Sequence, residues 1–422
     1  MHRAPSNERR EDELGEHMRV LLSAYACEPD KGSEQEVGWQ RALHMRALAD
    51  EVWVITRSNN RELIETNALS HDPGLHFIYY DLPSWALRMK KQRWFLYAYF
   101  ALWQWGAYRA AARNHRERHF DIVYHVTFAS IRFGCFMGLL GIPLIIGPIA
   151  GGERAPIRLR RSMPIRGQIS ELVRDIGILY QRYSPLTYMA YAAAKHIFVT
   201  TEDSMRLVPS KFHDKTSVHL AIGTDGHAVP SEKRVGPNNS RFVFAGRLLH
   251  LKGIHLGVRA LAEARRAAPA MTLTLFGTGP AERWLRNLAN ECGVADAVEF
   301  AGNIPRRQLM DSLPGYRALV FPSLHDTGGL AVLEALSRGV PVVCFDLGGP
   351  GIVVNESCGI VVSTRGASED EAVAGVAKAM ISMATMAPEE WENLSAGAIS
   401  RSNDLSWANL TSQIVDCGVP RN

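Results

Sequence analysis

The sequence has few features of a disulfide-stabilised, metal-binding or membrane-spanning protein. Its six cysteines lie far apart and form no Cys-x-x-Cys pair, and its histidines show no His-Glu-x-x-His motif or other metal-ligand spacing. The long uncharged stretches are interrupted by prolines and glycines or are too short to cross about 30 Å of hydrocarbon as a helix. We therefore expect a reduced, cytoplasmic protein without a bound metal or other cofactor.

An excess of charge of one sign is also missing. The 422 residues include 47 Lys and Arg against 43 Asp and Glu, a net charge of +4, and the cations form no dense stripe. This balance argues against a nucleic-acid partner and leaves a membrane surface or an anionic ligand open. The first eighteen residues are polar and lack the apolar segment of a secretory signal, so residues 1–18 are predicted to be a disordered tail.

Short apolar, β-branched runs alternate with longer helical patterns from Arg19 onward. Strands separated by helix-length segments predict βαβ units and parallel sheets, and uninterrupted apolar runs predict strands covered on both faces. The predicted strands are Arg19–Tyr25, Glu51–Thr56, Leu75–Leu82, Asp121–Val126, Pro143–Ile149, His196–Thr201, Val218–Ile222, Arg241–Gly246, Met271–Gly277, Val298–Gly302, Ala318–Ser323, Val340–Asp346 and Gly359–Val362.

The alternation lapses once, between Thr224 and Ser240, where Gly, Pro, Asn, Ser and charged residues dominate. We predict an α/β protein of two doubly wound units, with a ligand cleft between them at the carboxyl ends of the strands. A final helix could cross back to the first unit, because it has one apolar side that needs a partner surface. The predicted boundaries are 1–18 for the tail, 19–223 for the first unit, 224–240 for the linker, 241–403 for the second unit and 404–422 for the final helix.

The strongest candidate for a ligand site is the segment from Phe321 to Val343. A strand ends in a turn with Asp326, Gly328 and Gly329, and a helix follows. The glycines allow close approach of a ligand, and the helix start offers N–H groups to a diphosphate. Asp326 could face a sugar hydroxyl or cap the helix, and these alternatives stay open. Glu334 is surrounded by apolar residues, which favours a ligand role such as binding a ribose diol over a solvated position.

Two cations follow the first strand of the second unit. Arg247 and Lys252 emerge from the loop after that strand, five residues apart. Together they suit a diphosphate whose negative charge grows as it leaves, although either one alone could be an ordinary surface cation.

The first unit contributes two weaker candidates. Gly32 lies between the first strand and the first helix, where backbone amides could meet the same diphosphate. His125 follows the strand DIVYHV and could bond a sugar hydroxyl or support developing charge, while a structural histidine explains it equally well.

The segment Arg241–Val362 resembles family 4 of the retaining glycosyltransferases, which have the GT-B fold of two Rossmann-like domains facing across a cleft. The resemblance rests on GRLLHLKG, FGTGP, FAGNIP and PSLHDTGGLAVLEALSRGVPVV, and extends loosely over nearly the whole chain. The acidic pair of the family corresponds to Asp326 and Glu334, with Asp in place of the usual Glu. The acidic residue expected after the later GGxP turn is replaced by Ile352.

The resemblance implies a role for each candidate residue. Asp326 and His125 would be catalytic. The implied donor-binding residues are Arg247 and Lys252 for the diphosphate, Glu334 for the ribose, and Gly328, Gly329, Leu330 and Gly32 for backbone contacts.

The implied activity is metal-independent transfer, with retention of anomeric configuration, from a nucleotide-diphosphate sugar to a saccharide or polyprenyl-linked saccharide. The implied setting is bacterial exopolysaccharide or lipopolysaccharide synthesis. A nucleotide-sugar epimerase of the same fold and a non-catalytic nucleotide-sugar-binding subunit are the alternatives.

Two basic segments of the first unit suggest contact with a membrane. Arg88–Arg118 places aromatic residues between cationic ends, and Glu153–Arg166 is a second basic run. Aromatic side chains favour the lipid interface and cations attract anionic headgroups, so peripheral contact with the inner face of the cytoplasmic membrane is one hypothesis. A core helix with solvated ends is the other.

Overall fold

A computed structural model describes residues 17–29, 31–89, 96–128, 134–181, 184–225 and 239–418. Nearly all of the predicted tail and most of the predicted linker lie outside these ranges. The described strands form two parallel sheets of seven and six strands, which confirms the predicted α/β class with two doubly wound units.

The first sheet has the order β3-β2-β1-β4-β5-β6-β7 and the second has the order β10-β9-β8-β11-β12-β13. In each sheet the chain winds outward in both directions from a central pair, β1 and β4 or β8 and β11. The strands are β1 Arg19–Ser23, β2 Glu51–Thr56, β3 Leu75–Tyr79, β4 Ile122–His125, β5 Leu144–Ile149, β6 His196–Val199, β7 Thr216–Val218, β8 Arg241–Ala245, β9 Thr272–Phe276, β10 Val298–Gly302, β11 Ala318–Phe321, β12 Val342–Phe345 and β13 Gly359–Val362.

Helices connect the strands and cover the faces of both sheets. They are α1 Ser33–Arg46, α2 Arg61–Glu65, α3 Ser84–Met89, α4 Leu96–Arg118, α5 Ile165–Gln181, α6 Pro185–Ala193, α7 Glu202–Met205, α8 Ile254–Ala264, α9 Glu282–Glu291, α10 Arg306–Ser312, α11 Leu330–Ser337, α12 Gly348–Val353, α13 Glu369–Thr385, α14 Pro388–Asp404 and α15 Trp407–Gly418.

The two units share parts of their cores. The last helix, α15, packs on α1, and its Trp407 and Ile414 are buried in the core of the first unit. The buried Arg41 of α1 fixes this contact, because its guanidinium donates to Thr411 Oγ1 at 2.9 Å and to the Leu220 carbonyl at 3.2 Å.

In the other direction, the segment after β5 enters the core of the second unit. Ala155, Leu159 and Met163 are buried there together with Leu220. Two chain segments therefore cross from one unit into the other, besides the linker.

The strand β7 ends earlier than the sequence suggested. The apolar run Val218–Ile222 was expected to be a strand, but β7 covers Thr216–Val218. Leu220 is buried in the core of the opposite unit, and the partly buried Ile222 packs against both cores.

The aromatic helix predicted to contact lipid is mainly a core helix. Tyr99, Phe100 and Trp103 of α4 are buried in the first unit, and only Leu102 and Trp105 expose large apolar groups on its described part. The cationic start of that segment falls largely at residues 90–95, outside the described ranges. Within the described chain, no helix is both long and apolar enough to cross a membrane.

The protein should lose stability in mild acid because of four histidines, of which three are buried and His325 is partly buried. Burial lowers the pKa of His125, His219 and His325 to about 4 and that of His255 to about 3. The unfolded chain takes up these protons near pH 6.5, so the stability they contribute is present above that pH and is lost as the pH falls toward 4.

Each histidine should contribute up to about 1.4 kcal/mol per pH unit to this loss. Urea denaturation between pH 7.5 and 5 measures it, and the variant His255→Gln should show a shallower pH dependence than the wild type. Equal free energies of unfolding at pH 7.5 and pH 5 would contradict the prediction.

Candidate functional site

A cavity of about 1140 Å³ lies between the carboxyl ends of the two sheets. The second unit contributes the loops after β8, β9, β10 and β11, and the first unit contributes the ends of β4 and β5, the chain after β7 and part of α1. We call this cavity the cleft. It lies where doubly wound sheets bind ligands, beside the central strand pair of each sheet. The polar and charged residues in its lining are Glu34, Arg247, Lys252, Thr278, Asn303, Arg306, His325, Asp326, Thr327 and Glu334.

The loop after β8 brings Arg247 and Lys252 into the cleft lining. A short 3-10 helix, His250–Lys252, ends at Gly253, which has a left-handed φ of 64°. A Cβ at Gly253 would meet the Pro322 carbonyl oxygen at 1.8 Å, so only glycine permits this approach. The loop is thereby pressed against the chain after β11, and Lys252 Nζ forms an ion pair with Asp326 Oδ2.

Asp326 organises the turn before α11. Its Oδ1 accepts hydrogen bonds from the Gly328 amide at 3.1 Å and the Gly329 amide at 2.8 Å. Gly329 has a left-handed φ of 61° and leads directly into the helix at Leu330. Of the two alternatives for Asp326, the structure therefore shows a cap of this turn, combined with an ion pair to Lys252.

This arrangement changes the expected role of the two glycines. The amides of Gly328 and Gly329 were predicted to face the donor, but in this structure both donate to the Asp326 carboxylate. The amide of Leu330 lies in the first turn of α11, where no carbonyl of the helix itself can accept its hydrogen bond. Leu330 and Gly328 line the cleft, so the start of α11 still faces it.

Glu334 lies one turn into α11, is 8% exposed and lines the cleft. Its Oε1 accepts a hydrogen bond from Arg306 Nε at 2.6 Å. Arg306 begins α10, in the chain that follows β10, and the sequence analysis missed it. The signal that singled out Arg247, a cation just beyond the carboxyl end of a strand, would also have found Arg306.

A buried carboxylate joins the two units beside the cleft. Glu153 is 2% exposed, and its Oε1 accepts from the hydroxyl groups of Thr200, Thr201 and Ser204 at 2.9 to 3.1 Å. Its Oε2 accepts from Thr327 Oγ1 of the turn before α11 at 3.1 Å. In the sequence Glu153 stands out only as the start of a basic run, because its side-chain partners lie 47 to 174 residues away.

Replacing Glu153 should destabilise the protein and loosen this connection. The variant Glu153→Ala leaves buried hydroxyl groups without their charged acceptor, so we expect a loss of about 3 kcal/mol in the free energy of unfolding. Thermal or urea denaturation measures it. Thr327→Val removes only the bond between the units and should cost about 1 kcal/mol; a Glu153→Ala protein as stable as the wild type would contradict the prediction.

Two predicted residues of the first unit do not line the cleft. His125 is 1% exposed, its Nδ1 lies 3.0 Å from Ser23 Oγ on β1, and its Nε2 has no hydrogen-bond partner among the described residues. Gly32 precedes α1 with a left-handed φ of 64°, and the helix it starts contributes Glu34 and Val37 to the lining. The strand end at His125 continues instead to Val126 and Phe128, which do face the cleft.

The cavity thus brings together six residues predicted from two sequence segments, whereas the predicted Gly329 is not in its lining: Arg247, Lys252, Asp326, Gly328, Leu330 and Glu334. Among the described residues, no group of three His, Cys, Asp or Glu side chains is arranged to hold a metal ion.

Comparison with known proteins agrees with this geometry. Residues 230–393 match the model of the family described as Glycosyl transferases group 1. This segment, which includes every candidate residue of the second unit, is therefore similar to the group 1 glycosyl transferases. The predicted resemblance to this group of glycosyltransferases is thereby confirmed over residues 230–393.

The similar proteins are of two kinds: sequence relatives that match part of the chain, and solved structures whose fold matches almost all of it. Glycogen synthase of Mycobacterium tuberculosis is 32% identical over 185 residues, which cover 43% of this chain and 43% of that protein. The chain spans less than half the length of the first curated relatives it matches.

Solved structures match over almost the whole chain. Sucrose-phosphate synthase from Thermosynechococcus elongatus has a TM-score of 0.60 at 18% identity and covers 94% of this chain and 98% of its own. HepE from Anabaena, solved in complex with UDP, has a TM-score of 0.58 at 14% identity with the same coverage. At these identities the likeness concerns the fold, which is the predicted two-domain GT-B architecture.

Proposed function

We propose that this chain is a glycosyltransferase that moves a sugar from a nucleotide-diphosphate sugar, without a metal and with retention of anomeric configuration. The observation that carries the proposal is the meeting of Arg247, Lys252 and the start of α11 on one side of the cleft. They would offer a bound anion two cations, of which Lys252 already pairs with Asp326, and the Leu330 amide at the helix start. A diphosphate is the ligand whose charge they match.

The nucleoside end of the donor is proposed to lie toward Glu334. Its carboxylate is buried and oriented by Arg306, so it can accept hydrogen bonds from a diol without a change of rotamer. Glu334 lies on the same helix whose first turn would contact the diphosphate, and one turn separates Leu330 from it. This spacing is consistent with a ribose next to its own phosphates.

The donor sugar would then extend toward Asp326 and the first unit. Charge accumulates on the departing diphosphate as the glycosidic bond breaks, and Arg247 and Lys252 would stabilise it. In the proposed mechanism the acceptor hydroxyl attacks from the face that the diphosphate leaves, and a phosphate oxygen of the leaving group takes its proton. The sugar carbon thus exchanges a bond to phosphate oxygen for a bond to acceptor oxygen on the same face.

The acceptor is proposed to enter from the first unit. Its contribution to the lining is mostly apolar, with Val126, Phe128 and Pro148 around the single carboxylate Glu34. The Glu34 carboxylate accepts a hydrogen bond from the Phe128 amide, and burial raises its pKa. A saccharide carried on a lipid or polysaccharide chain is the acceptor class we propose, in the synthesis of bacterial surface polysaccharides.

Donor hydrolysis and product stereochemistry test the proposal. The purified chain should slowly hydrolyse one nucleotide-diphosphate sugar from a panel, with unchanged rate in the presence of EDTA, and NMR should find the released or transferred sugar in the anomeric form of the donor. Tight binding without turnover would support a non-catalytic binding subunit, and conversion of the sugar to its epimer would support an epimerase. Either result would overturn the proposed activity.

A further inference from the structure

Helix α5 exposes an apolar face that no part of the described chain covers. Five large apolar residues form this face. The last four lie four, seven, eight and eleven positions after the first, so all five fall within an arc of about 100° around the helix. We call them the α5 face: Ile165 at 74%, Ile169 at 55%, Leu172 at 57%, Val173 at 64% and Ile176 at 62% exposure.

The opposite side of α5 packs on the protein, so the helix is anchored. Ile178 is fully buried, and Glu171 is 3% exposed. At Gly167 an added Cβ would come within 3.3 Å of the His250 ring, so α5 abuts the loop that carries Lys252. The α5 face is therefore a fixed surface beside the cleft.

Exposed cations precede the α5 face in the chain, and the two acids that share a pocket with Arg158 and Arg161, Glu369 and Asp370, both pair with Arg259. Arg154, Arg158 and Arg161 are exposed in the chain just before the helix. The acids of the helix are already paired, Glu171 with Arg174 and Asp175 with Arg160, each at 2.8 Å.

We propose that the α5 face docks this protein onto an anionic lipid surface. Side chains such as Ile and Leu partition into the acyl boundary, while neighbouring arginines bind anionic headgroups. A second copy of the chain is a poorer occupant, because it would bring the same three cations against each other. This assigns lipid contact to α5 and its preceding arginines, in place of the aromatic helix α4. Lipid docking at the α5 face deepens the proposed function. It rests on that function only in that a lipid-linked acceptor would approach the cleft from the docked membrane.

Vesicle flotation of the full chain tests the proposal without donor or acceptor, so its outcome is independent of transferase activity. Vesicles of phosphatidylglycerol and phosphatidylcholine should float the wild type at low salt, and vesicles of phosphatidylcholine alone should float much less. The variant Leu172→Ser/Ile176→Ser should lower the ratio of bound to free protein at least tenfold. The matched control Leu63→Ser/Leu69→Ser removes two exposed leucines elsewhere and should float like the wild type.

A second variant separates the charge contribution from the apolar one. Arg154→Gln/Arg161→Gln should weaken flotation and reduce its dependence on salt, with an unchanged melting temperature. Wild-type flotation that is equal with and without anionic lipid would overturn the proposal, as would undiminished flotation of the Leu172/Ile176 variant. A wild-type dimer that this variant converts to a monomer would assign the α5 face to self-association instead.

Discussion

The variant Lys252→Ala should lower kcat by about 10²- to 10³-fold with little change in the melting temperature. Lys252 lines the cleft, and Gly253 holds its loop against the chain after β11. In the proposed reaction this cation faces the diphosphate at the moment its charge is greatest, so its loss affects the transition state more than the bound donor. Steady-state kinetics with the donor that the chain hydrolyses measures the effect.

Two further variants separate this role from a structural one. Lys252→Arg keeps the charge and should retain part of the activity. Arg241→Ala removes a cation at the start of β8, the end of the strand opposite the loop that carries Lys252. The Arg241 guanidinium lies over the Tyr316 ring, and its loss should leave kcat unchanged. A Lys252→Ala enzyme within threefold of the wild-type kcat would refute the assignment.

The variant Asp326→Asn should lower kcat about 10²-fold while the protein stays close to wild-type stability. Asparagine keeps a side-chain oxygen that can accept from the Gly328 and Gly329 amides, so the turn before α11 is preserved. It removes the negative charge that pairs with Lys252. The loss of activity would then report the charge, acting on the position of Lys252 or on the donor sugar, and not the cap.

Asp326→Ala provides the comparison, because it removes both the charge and the cap. This variant should lose activity and also about 1 kcal/mol or more of stability. If Asp326→Asn were as active as the wild type and only Asp326→Ala were impaired, capping alone would explain Asp326. Thermal melts beside the kinetics distinguish the two cases.

The sequence predicted the fold well, because burial on both faces leaves a strong apolar signal in each parallel strand. Each predicted strand except Val218–Ile222 coincides with an observed one to within a few residues at its ends. That exception has a physical cause, since Leu220 is buried by the opposite unit. The length of an apolar run shows that it is buried but not which unit buries it.

Three candidate residues of the second unit were recognised from local sequence features, and all three line the cleft. Arg247 and Lys252 were chosen because they follow a strand end, and Glu334 because apolar residues surround it. Their roles stay predictions. The sequence left open whether Asp326 caps this turn, and the structure shows the Gly328 and Gly329 amides donating to its carboxylate.

Apart from the return of the final helix to the first unit, the contacts between the units could not be predicted from the sequence. Glu153 and Thr327 are 174 residues apart, and nothing in either segment indicates the other. His125 shows the same limit, because a single residue of register decides whether a strand end faces the cleft or the interior. Here Val126 faces the cleft and His125 is buried against Ser23.

The most direct test of the whole account is a calorimetric titration of nucleotides into the wild type and the Arg247→Ala/Lys252→Ala variant. UDP, GDP and ADP are each compared with their monophosphates, which isolates the contribution of the second phosphate. The account predicts that at least one diphosphate binds the wild type more than tenfold more tightly than its monophosphate, and that the variant loses this difference. A preference that persists in the variant, or that is missing for every base in the wild type, would contradict it.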